Sequence, residues 1–435
     1  MLSTDALVAG LDVHKKTVVV VILQKGQPDQ DYATGTFGTT SCGLKELAAF
    51  LRQHRVTHVA MESTAQYWRP IWMALEGEFP LTLAQARSTR ARRGRKWDQA
   101  DARRIAKRLL SGDLTVSFVP PPEQRDWRLL SRTQITLRES LVRLRNQIEV
   151  LLEQAQIKLS SVVSDLLGKS GRRMLEALLA GVTDPVALAA LGDRRLQASQ
   201  EQLTDALNGR LTEAHRLVLR LFLEQIDQIE QHLAELDQAL AKALTVHQEA
   251  IARLCEIPGI NVRTAQYVIA ETGAHAAVFE SAGKLASWVG ICPGQQESAG
   301  VSVSTRSAKG NWMLRRTLSQ IAWAAVASKG SEAQRRFQAW RPRLGAQKAI
   351  WAVAHYQLRV IWKVLHDGVR YRSPDTERRN QRALLARAKR VLSGLRKLGY
   401  TVERVATFIK CSSGEADKLS DHVTVHKRSL QMAAV

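Results

Sequence analysis

Acidic residues are few in this chain compared with basic ones. Its 435 residues contain 63 Lys and Arg but only 41 Asp and Glu, which gives a formal net charge of +22. A net charge of this size is larger than solubility requires, so it indicates a further role. A polyanion such as a nucleic acid is the expected partner.

Cysteine is rare and scattered. The four residues, Cys42, Cys255, Cys292 and Cys411, lack the close spacing of a zinc site or of a disulfide framework. They suit a reducing compartment, in which they act as small buried hydrophobes.

Long apolar runs are missing as well. No stretch approaches the roughly 20 apolar residues of a membrane span. The start, Met-Leu-Ser-Thr-Asp, has neither the basic flank nor the apolar region of a secretory signal. We therefore expect a cytoplasmic protein with no membrane partner.

The first 110 residues alternate short apolar runs with helical patterns. Strands are predicted over 6–12, 17–23, 32–37, 57–62 and 80–84, and helices over 44–51, around Trp68 to Leu75, and over 98–110. Three strands, then helix, strand, helix, strand and helix form the element order of the ribonuclease H-like fold. The predicted fold class is therefore α/β in this part of the chain.

Four acids occupy the ends of these predicted elements. Asp12 ends the first strand, Glu62 ends the fourth, and Asp98 and Asp101 open the last helix, with Asp98 expected as its N-cap. A spacing of three places the last two on one helix face. Converging carboxylates repel one another unless a cation neutralises them, and oxygen ligands select Mg²⁺ or Mn²⁺.

Such a site suits phosphodiester chemistry, because two ions about 4 Å apart activate the attacking oxygen and stabilise the leaving one. The alternative is that these are ordinary surface acids and a helix cap. Ten Lys and Arg lie between Arg87 and Arg108, interleaved only with Asp98 and Asp101. They would hold phosphates on either side of a scissile bond, or else form a solvated basic face.

Beyond a linker at Pro120-Pro-Pro122 the pattern becomes helical. Two long helices with apolar residues at sevenfold spacing are predicted over about 127–159 and 211–244. The heptad residues of the first are Leu130, Leu137, Leu144 and Leu151, with Leu141 and Ile148 between them, and those of the second begin with Leu219, Ile226, Leu233 and Leu240. Packing within the chain and packing between chains explain such rows equally well.

The segment from Leu254 to Ala265 has an apolar-Pro-Gly-apolar turn between two helical patterns, which resembles a helix-hairpin-helix element. Backbone amides there, including that of Gly259, could bind a phosphate.

Further on, Ser298 is expected in a flexible loop before a short β-like stretch at 301–304. Six of the ten Trp lie from Trp288 to Trp362, and core packing is expected for Trp323, Trp351 and Trp362, with base stacking as the alternative.

Seven short motifs in order carry a family resemblance, which covers roughly residues 7–365. They are Gly10-Leu-Asp-Val-His-Lys, Ala60-Met-Glu-Ser-Thr-Ala-Gln-Tyr, Lys96-Trp-Asp-Gln-Ala-Asp-Ala, Ile257-Pro-Gly-Ile-Asn, Leu285-Ala-Ser-Trp-Val-Gly-Ile-Cys-Pro, Glu297-Ser-Ala-Gly, and Lys309-Gly-Asn with Leu314-Arg. The chain resembles the insertion-sequence 110 family of transposases, in particular its 1111 subgroup, and the related Piv-type invertases.

The resemblance implies a RuvC-like domain whose tetrad, Asp12, Glu62, Asp98 and Asp101, binds Mg²⁺. It also implies a C-terminal domain in which Ser298 attacks the DNA and forms a phosphoserine intermediate. Family members act as bacterial, nucleoid-associated homo-oligomers, dimers that pair into tetramers on donor and target DNA. A structured noncoding guide RNA, called bridge or seek RNA, base-pairs with both DNAs and chooses the site.

For this chain we expect four segments, the last of which lies beyond the resemblance and is either a basic amphipathic helix on nucleic acid or a solvated tail. These are a RuvC-like catalytic domain over 1–119, a helical coiled-coil region over 123–250, a mainly helical transposase domain over 251–370 and a basic extension over 371–435. The residues expected to contact nucleic acid are basic, apart from the glycine of the Pro-Gly turn: Arg87, Arg90, Arg92, Arg93, Arg95, Lys96, Gly259, Arg306, Lys309, Arg315 and Arg316.

Two positions depart from the family pattern. Ala65 stands where glycine is usual, and Val301 stands where a basic residue is frequent. Neither change removes a catalytic group, so both affect only the expected shape of the local backbone.

Two other functions remain open. A junction-resolving nuclease would use the tetrad and water without the serine, and a basic RNA-binding scaffold would need neither. A Piv-like invertase would share the chemistry and differ in its DNA context.

Overall fold

The computed structural model describes residues 6–63, 65–85, 97–294, 296–298, 301–304, 307 and 309–373, and a few residues beyond them: 385, 387, 389–390, 393, 400–402 and 425–427. The chain divides into two compact units, Met1–Pro121 and Pro122–Val435. Among the described residues, no helix is long and apolar enough to cross a membrane.

The first unit is built from five strands and three helices. The strands are β1 (Leu7–Val13), β2 (Thr17–Gln24), β3 (Gln27–Gly38), β4 (His58–Glu62) and β5 (Leu81–Ala84), and the helices are α1 (Ser41–Gln53), α2 (Trp68–Leu75) and α3 (Asp98–Ser111). Every predicted element is present. The third strand is longer than predicted, because its first residues, 27–31, carry no apolar alternation, and 27–30 are exposed.

The five strands form one mixed sheet in the order β3-β2-β1-β4-β5. Strand β1 pairs antiparallel with β2 and parallel with β4, while β2 pairs antiparallel with β3 and β4 parallel with β5. Only β2 therefore runs against the other four. This strand order and direction confirm the ribonuclease H-like fold predicted from the sequence.

The sheet is covered on both faces, as the continuous apolar strands require. On one face Leu11 and Val20 join a cluster with Leu47 and Leu51 of α1 and Ile71 of α2. On the other, strand residues pack against α3: Val8, Val19, Val21 and Leu23 against Ala102 and Ala106. Alternation along β1 sends Val8, Gly10 and Asp12 to the face that α3 covers.

The second unit is almost entirely helical. Its helices are α4 (Pro122–Gln154), α5 (Leu159–Val162), α6 (Lys169–Leu179), α7 (Pro185–Ala189), α8 (Gln200–Ala206), α9 (Glu213–Ala243), α10 (Gln248–Cys255), α11 (Val262–Thr272), α12 (Ala282–Val289), α13 (Trp312–Ala327), α14 (Glu332–Leu344) and α15 (Ala346–His366), with one 3₁₀ turn at Thr245–His247. It also has two short antiparallel strand pairs: β6 (Gln296–Ser298) with β7 (Val301–Ser304), and β8 (Tyr400–Val402) with β9 (Val425–Lys427).

The two long predicted helices, α4 and α9, pack against each other and run antiparallel. Gln134 of α4 donates to the Asp237 carboxylate of α9 at 3.1 Å. Further along α4, Leu144, Ile148, Leu151 and Leu152 share an apolar cluster with Leu219, Leu223 and Ile226 near the start of α9. Packing within the chain therefore uses these heptad residues, and a role in oligomer contacts stays a prediction.

The predicted heptad pattern holds only for part of α4. Leu130 and Leu137 are half-buried, whereas the polar Ser131 and Gln134 are buried. The first half of α4 therefore buries polar side chains beside Trp127 and Ile135, and an apolar repeat does not reveal this mixed packing. The expected core role of Trp323 is also wrong, because this residue is 49% exposed and lies edge-on to Phe337.

A buried carboxylate joins three helices in the second unit. The Glu271 side chain on α11 is 4% exposed and accepts two hydrogen bonds from Arg132 of α4, at 2.8 and 2.9 Å. Arg128 lies 3.3 Å from the same carboxylate, and Asn311 donates to it at 2.6 Å. Because its charge is matched and its oxygens are bonded, Glu271 is a structural link between α4, α11 and the start of α13.

Candidate active site

The four predicted acids meet at one edge of the first unit's sheet. Asp12 is the second-last residue of β1, and Glu62 is the last residue of β4. The two strands are parallel neighbours, with Leu11 opposite Met61, so both acids reach the same end of the sheet.

Gly10 brings the other two acids to that end. A Cβ atom at Gly10 would lie 2.1 Å from the Ala102 carbonyl oxygen and 2.6 Å from the Ala106 nitrogen, so only glycine lets α3 approach this closely. Ala102 follows Asp101 in the first turns of α3. The close contact therefore places the N-terminal turn of α3, with Asp98 and Asp101, beside Asp12.

The charges of the four acids interact. Burial raises the pKa of Asp12 above its ordinary value of 3.8, His14 opposes this shift, and Asp101, Asp98 and Glu62 raise the pKa further. Three like charges thus act on one partly buried carboxyl, which is an unfavourable arrangement without a cation. Because Glu62, Asp98 and Asp101 all lie close enough to raise the pKa of Asp12, the structure brings the four predicted acids together.

His14 is a member of this cluster that the sequence did not single out. Its Nε2 atom lies 3.2 Å from Asp12 Oδ2 and 3.5 Å from Asp98 Oδ2. The three residues each offer a ligand atom, and these atoms lie within 4.8 Å of one another. His14 lies within the first motif, but the motif alone does not indicate where the ring points. In the β1–β2 turn His14 donates its backbone N–H to the Thr17 carbonyl, and this turn directs the ring toward the acids.

The cluster fits a divalent cation. Asp12 Oδ2 and His14 Nε2 are both buried, and neither has a hydrogen bond of acceptable geometry among the described residues. His14 opposes the rise in the pKa of Asp12 but does not cancel it, so the buried oxygen still lacks a full counter-charge. Carboxylate oxygens are the ligands that Mg²⁺ and Mn²⁺ prefer.

The expected capping role of Asp98 is wrong. The N-cap is Trp97, whose backbone is extended at φ −137° and ψ 120°, and Asp98 is the first helical residue. The Trp97 carbonyl accepts a hydrogen bond from the Asp101 amide at 3.1 Å. The Asp98 carboxylate is therefore not used in a cap.

On the next turn, Arg104 donates to Asp101 Oδ1 at 2.5 Å and fixes that carboxylate.

Ser298 belongs to the second unit. It is the last residue of strand β6 and pairs with Val301, the first residue of β7. The expected loop is therefore a hairpin, with residues 299–300 outside the described part of the chain. The stretch expected to be β-like, 301–304, is confirmed as strand β7.

The residues expected to contact nucleic acid fall into three groups. Seven of them lie outside the described residues: Arg87, Arg90, Arg92, Arg93, Arg95, Lys96 and Arg306. Lys309 is exposed. Arg315 donates to the Gly290 carbonyl at 2.9 Å and lies over the Trp351 ring, and Arg316 pairs with Glu139 at 3.4 Å. Arg315 and Arg316 thus have contacts within the protein, and their nucleic-acid role stays a prediction.

The predicted Pro-Gly turn is present between α10 and α11. Gly259 has φ +88°, and a Cβ atom there would lie 2.4 Å from the Ile321 carbonyl oxygen of α13. Asn261 caps α11 by accepting from the Thr264 amide at 2.9 Å. Helix packing alone explains the glycine, so phosphate binding by this turn stays a prediction.

A ribonuclease H-like sheet with converging carboxylates at its strand ends defines a nucleic-acid-processing catalytic domain. Two family models match the chain. A DEDD-type transposase model of the IS110 family matches residues 9–157, and one described as transposase of the IS116/IS110/IS902 family matches residues 251–338. The chain belongs to the IS110 family of transposases and is an enzyme that cuts and rejoins DNA.

The comparisons with individual proteins add little to the family assignment. A solved structure of T. thermophilus RuvC in complex with a Holliday junction substrate is 13% identical, and the match covers 26% of this chain and 99% of that one. Its TM-score is 0.20, too low to support an inference. No curated protein sequence matches the chain significantly.

Proposed function

We propose that this transposase is a divalent-metal-dependent recombinase in which the tetrad of the RuvC-like unit and Ser298 act on the same phosphate. The single observation that carries the metal site is Asp12, which has a raised pKa, three acidic neighbours and an oxygen without a hydrogen-bond partner in the described part of the chain. Asp12, Glu62, Asp98 and Asp101 would hold Mg²⁺ or Mn²⁺. When bound, such ions neutralise the carboxylates and polarise the scissile phosphate.

The protein's own residues prepare this site. Arg104 keeps Asp101 in one orientation, and the His14 ring lies between Asp12 and Asp98, 3.2 and 3.5 Å from their carboxylates. Gly10 sets the distance between β1 and α3. These contacts preorganise the acids, so that little rearrangement is needed when the phosphate arrives.

Ser298 would supply the nucleophile. Its Oγ forms a bond to phosphorus while one P–O bond of the DNA strand breaks, and the released DNA oxygen takes up a proton. A DNA hydroxyl then attacks the phosphoserine, which restores the serine and joins a new strand. The bond energy kept in the serine ester is what allows rejoining rather than simple hydrolysis.

The partners follow from the family. We propose that donor and target DNA are paired by a homo-oligomer, a dimer that forms a tetramer in the synaptic complex, and that one protomer's tetrad meets another's Ser298. A structured noncoding RNA would choose both sites by base pairing, so that the protein holds backbones instead of reading sequence. The net charge of +22 supports binding to these polyanions.

The decisive experiment looks for a covalent protein–DNA adduct. The protein is incubated with its element-end DNA, the flanking RNA and Mg²⁺. We expect an adduct with the wild type and with Ser302→Ala, a matched change in the same hairpin, and none with Ser298→Ala. An equal adduct in Ser298→Ala would refute the serine mechanism.

A structure-specific nuclease that uses water is the second candidate. One observation favours it, namely that the whole tetrad lies in the first unit and is assembled without Ser298. This candidate expects strand cutting without an adduct, and full activity in Ser298→Ala. A DNA invertase would give the same adduct as the transposase and would differ only in joining inverted copies of one DNA segment.

A further inference from the structure

An exposed tryptophan lies directly before the tetrad's helical acids. Trp97 is 71% exposed, more than any other aromatic residue among those that the structure describes. Leaving an indole in water forgoes roughly 2–3 kcal/mol that burial would provide. No contact within the described residues explains why so large an apolar side chain stands at this position.

Trp97 forms one end of a groove on the outer face of α3. A cavity of about 280 Å³ is bounded by Trp97, Gln99, Ala100, Arg103, Arg104 and Lys107. Trp97, Ala100, Arg104 and Lys107 recur at helical spacing and so share one face. The small side chain of Ala100 leaves the space beside the indole open. The volume suits one flat ring and its sugar.

The groove is held rigidly, although its aromatic wall is exposed. The opposite face of α3 is fixed to the sheet by Ala102 and Ala106, which pack against β1 and β2. The Trp97 backbone is fixed by the hydrogen bond from the Asp101 amide. A planar ligand would therefore meet a preformed surface and would lose little of its binding energy to ordering the protein.

One cation along the groove has an exchangeable partner. Lys107, 41% exposed, pairs at 2.6 Å with Asp29, which is 92% exposed, so this ion pair contributes little and can give way to a phosphate. Arg103 pairs with Asp31, which is only 19% exposed, so this pair stays within the protein. Arg104 is likewise committed to Asp101 of the tetrad.

We propose that Trp97 stacks on an unpaired base of the DNA strand being cut, next to the scissile phosphate, while Lys107 holds a phosphate of that strand. Aromatic stacking together with basic side chains is how proteins bind single-stranded nucleic acid without reading its sequence. DNA is favoured over RNA as the occupant because Asp98 and Asp101 belong to the same helical turn as Trp97 and act on the DNA strand. This inference rests on the proposed function of the tetrad.

The test uses 2-aminopurine, a base whose fluorescence is quenched by stacking. It is placed at single positions of the element-end DNA around the cut site, or in the flanking RNA, and bound to the protein in Ca²⁺ to prevent cutting. We expect quenching at one DNA position with the wild type and with Trp97→Phe, and its loss with Trp97→Ala. Trp97→Ala should also bind and cut the DNA roughly tenfold less well.

The control is Met73→Ala, which removes another large exposed side chain, 63% exposed, from α2 of the first unit and should leave both readouts unchanged. Quenching that persists in Trp97→Ala, quenching only in the RNA, or DNA binding with no quenched position would each overturn the proposal. An unchanged melting temperature shows that the variant is folded. Failure of the proposed function is seen separately, as a wild-type protein that binds and quenches but forms no adduct in Mg²⁺.

Discussion

Two carboxyl groups, Asp12 in the first unit and Glu271 in the second, are both largely removed from water but have opposite surroundings. Asp12 lies beside His14 but faces three other acids, its pKa is raised despite His14, and one of its oxygens has no hydrogen-bond partner among the described residues. Glu271 is contacted by Arg128, Arg132 and Asn311. A buried acid is therefore not in itself a sign of function. The sign of the neighbouring charges separates a site that needs a cation from a link that already has one.

The comparison is tested most strongly by Asp12→Asn. Removing this carboxylate should lower DNA cutting by at least ~10³-fold, about 4 kcal/mol, because the metal loses a central ligand. In EDTA the same variant should melt at a higher temperature than the wild type, since repulsion among the acids is relieved. Asp113→Asn, an exposed acid just after α3, is the control and should change neither property.

The pH dependence of that stability difference has a defined sign. A carboxyl whose pKa is raised in the folded state weakens the fold only when it is ionised, so its penalty appears as pH rises through the folded pKa. In EDTA, the advantage of Asp12→Asn should therefore be small near the ordinary pKa of 3.8 and grow toward neutral pH. An advantage that does not vary with pH would contradict the electrostatic explanation.

The same chemical change at Glu271 should have the opposite effect. Glu271→Gln leaves Arg128 and Arg132 without their counter-charge in a buried place, which should cost about 3–5 kcal/mol of unfolding free energy. Denaturant titration with and without Mg²⁺ measures this loss, which should not depend on the metal. If Glu271→Gln were as stable as the wild type, Glu271 would not stabilise the fold through its basic neighbours, and the contrast with Asp12 would be wrong.

Gly10→Ala tests whether the geometry of the tetrad depends on the contact between β1 and α3. The new methyl group would overlap the Ala102 carbonyl, so the helix must shift, at a cost of about 1–3 kcal/mol in stability. The shift should also weaken Mg²⁺ binding, measured by calorimetry. Gly26→Ala is the control, because nothing lies within 4 Å of its added Cβ.

The smallest effect is expected at Ala65. Its φ of +49° lies in the left-handed region, where glycine is usual, and this agrees with the family's preference for glycine there. Ala65→Gly should relieve strain of about 1–2 kcal/mol but add flexibility to the unfolded chain, for a net gain below about 1 kcal/mol. The same change at Ala239, inside the exposed surface of α9, should instead destabilise the protein.

Much of the first unit could be predicted from sequence because each signal there is local. Apolar runs gave the strands, and an acid at a strand end or in a first helical turn is visible in a few letters. His14 was not found, since its position beside Asp12 and Asp98 depends on a turn geometry. Asp98 was expected as the cap because aspartate caps helices well, yet the helix begins one residue earlier, after Trp97.

The second unit was less predictable, because its key contacts join distant segments. Glu271, Arg132 and Asn311 are far apart in sequence, and none of them carries a pattern that indicates pairing. The hairpin of Ser298 was missed because three-residue strands give too little alternation to detect. The two long helices were predicted correctly. The buried polar residues of α4, such as Ser131 and Gln134, were not predicted, because heptad analysis counts only apolar residues.

The contact at Gly10 has a consequence for how this enzyme can change over generations. The separation between Asp12 and the two helical acids is set where one backbone meets another, through a residue that has no side chain. Core side chains elsewhere in the sheet can be exchanged and can adjust their rotamers without altering that separation. The tolerance of the chemistry for change thereby narrows to the few positions where β1 meets α3, namely Gly10, Ala102 and Ala106.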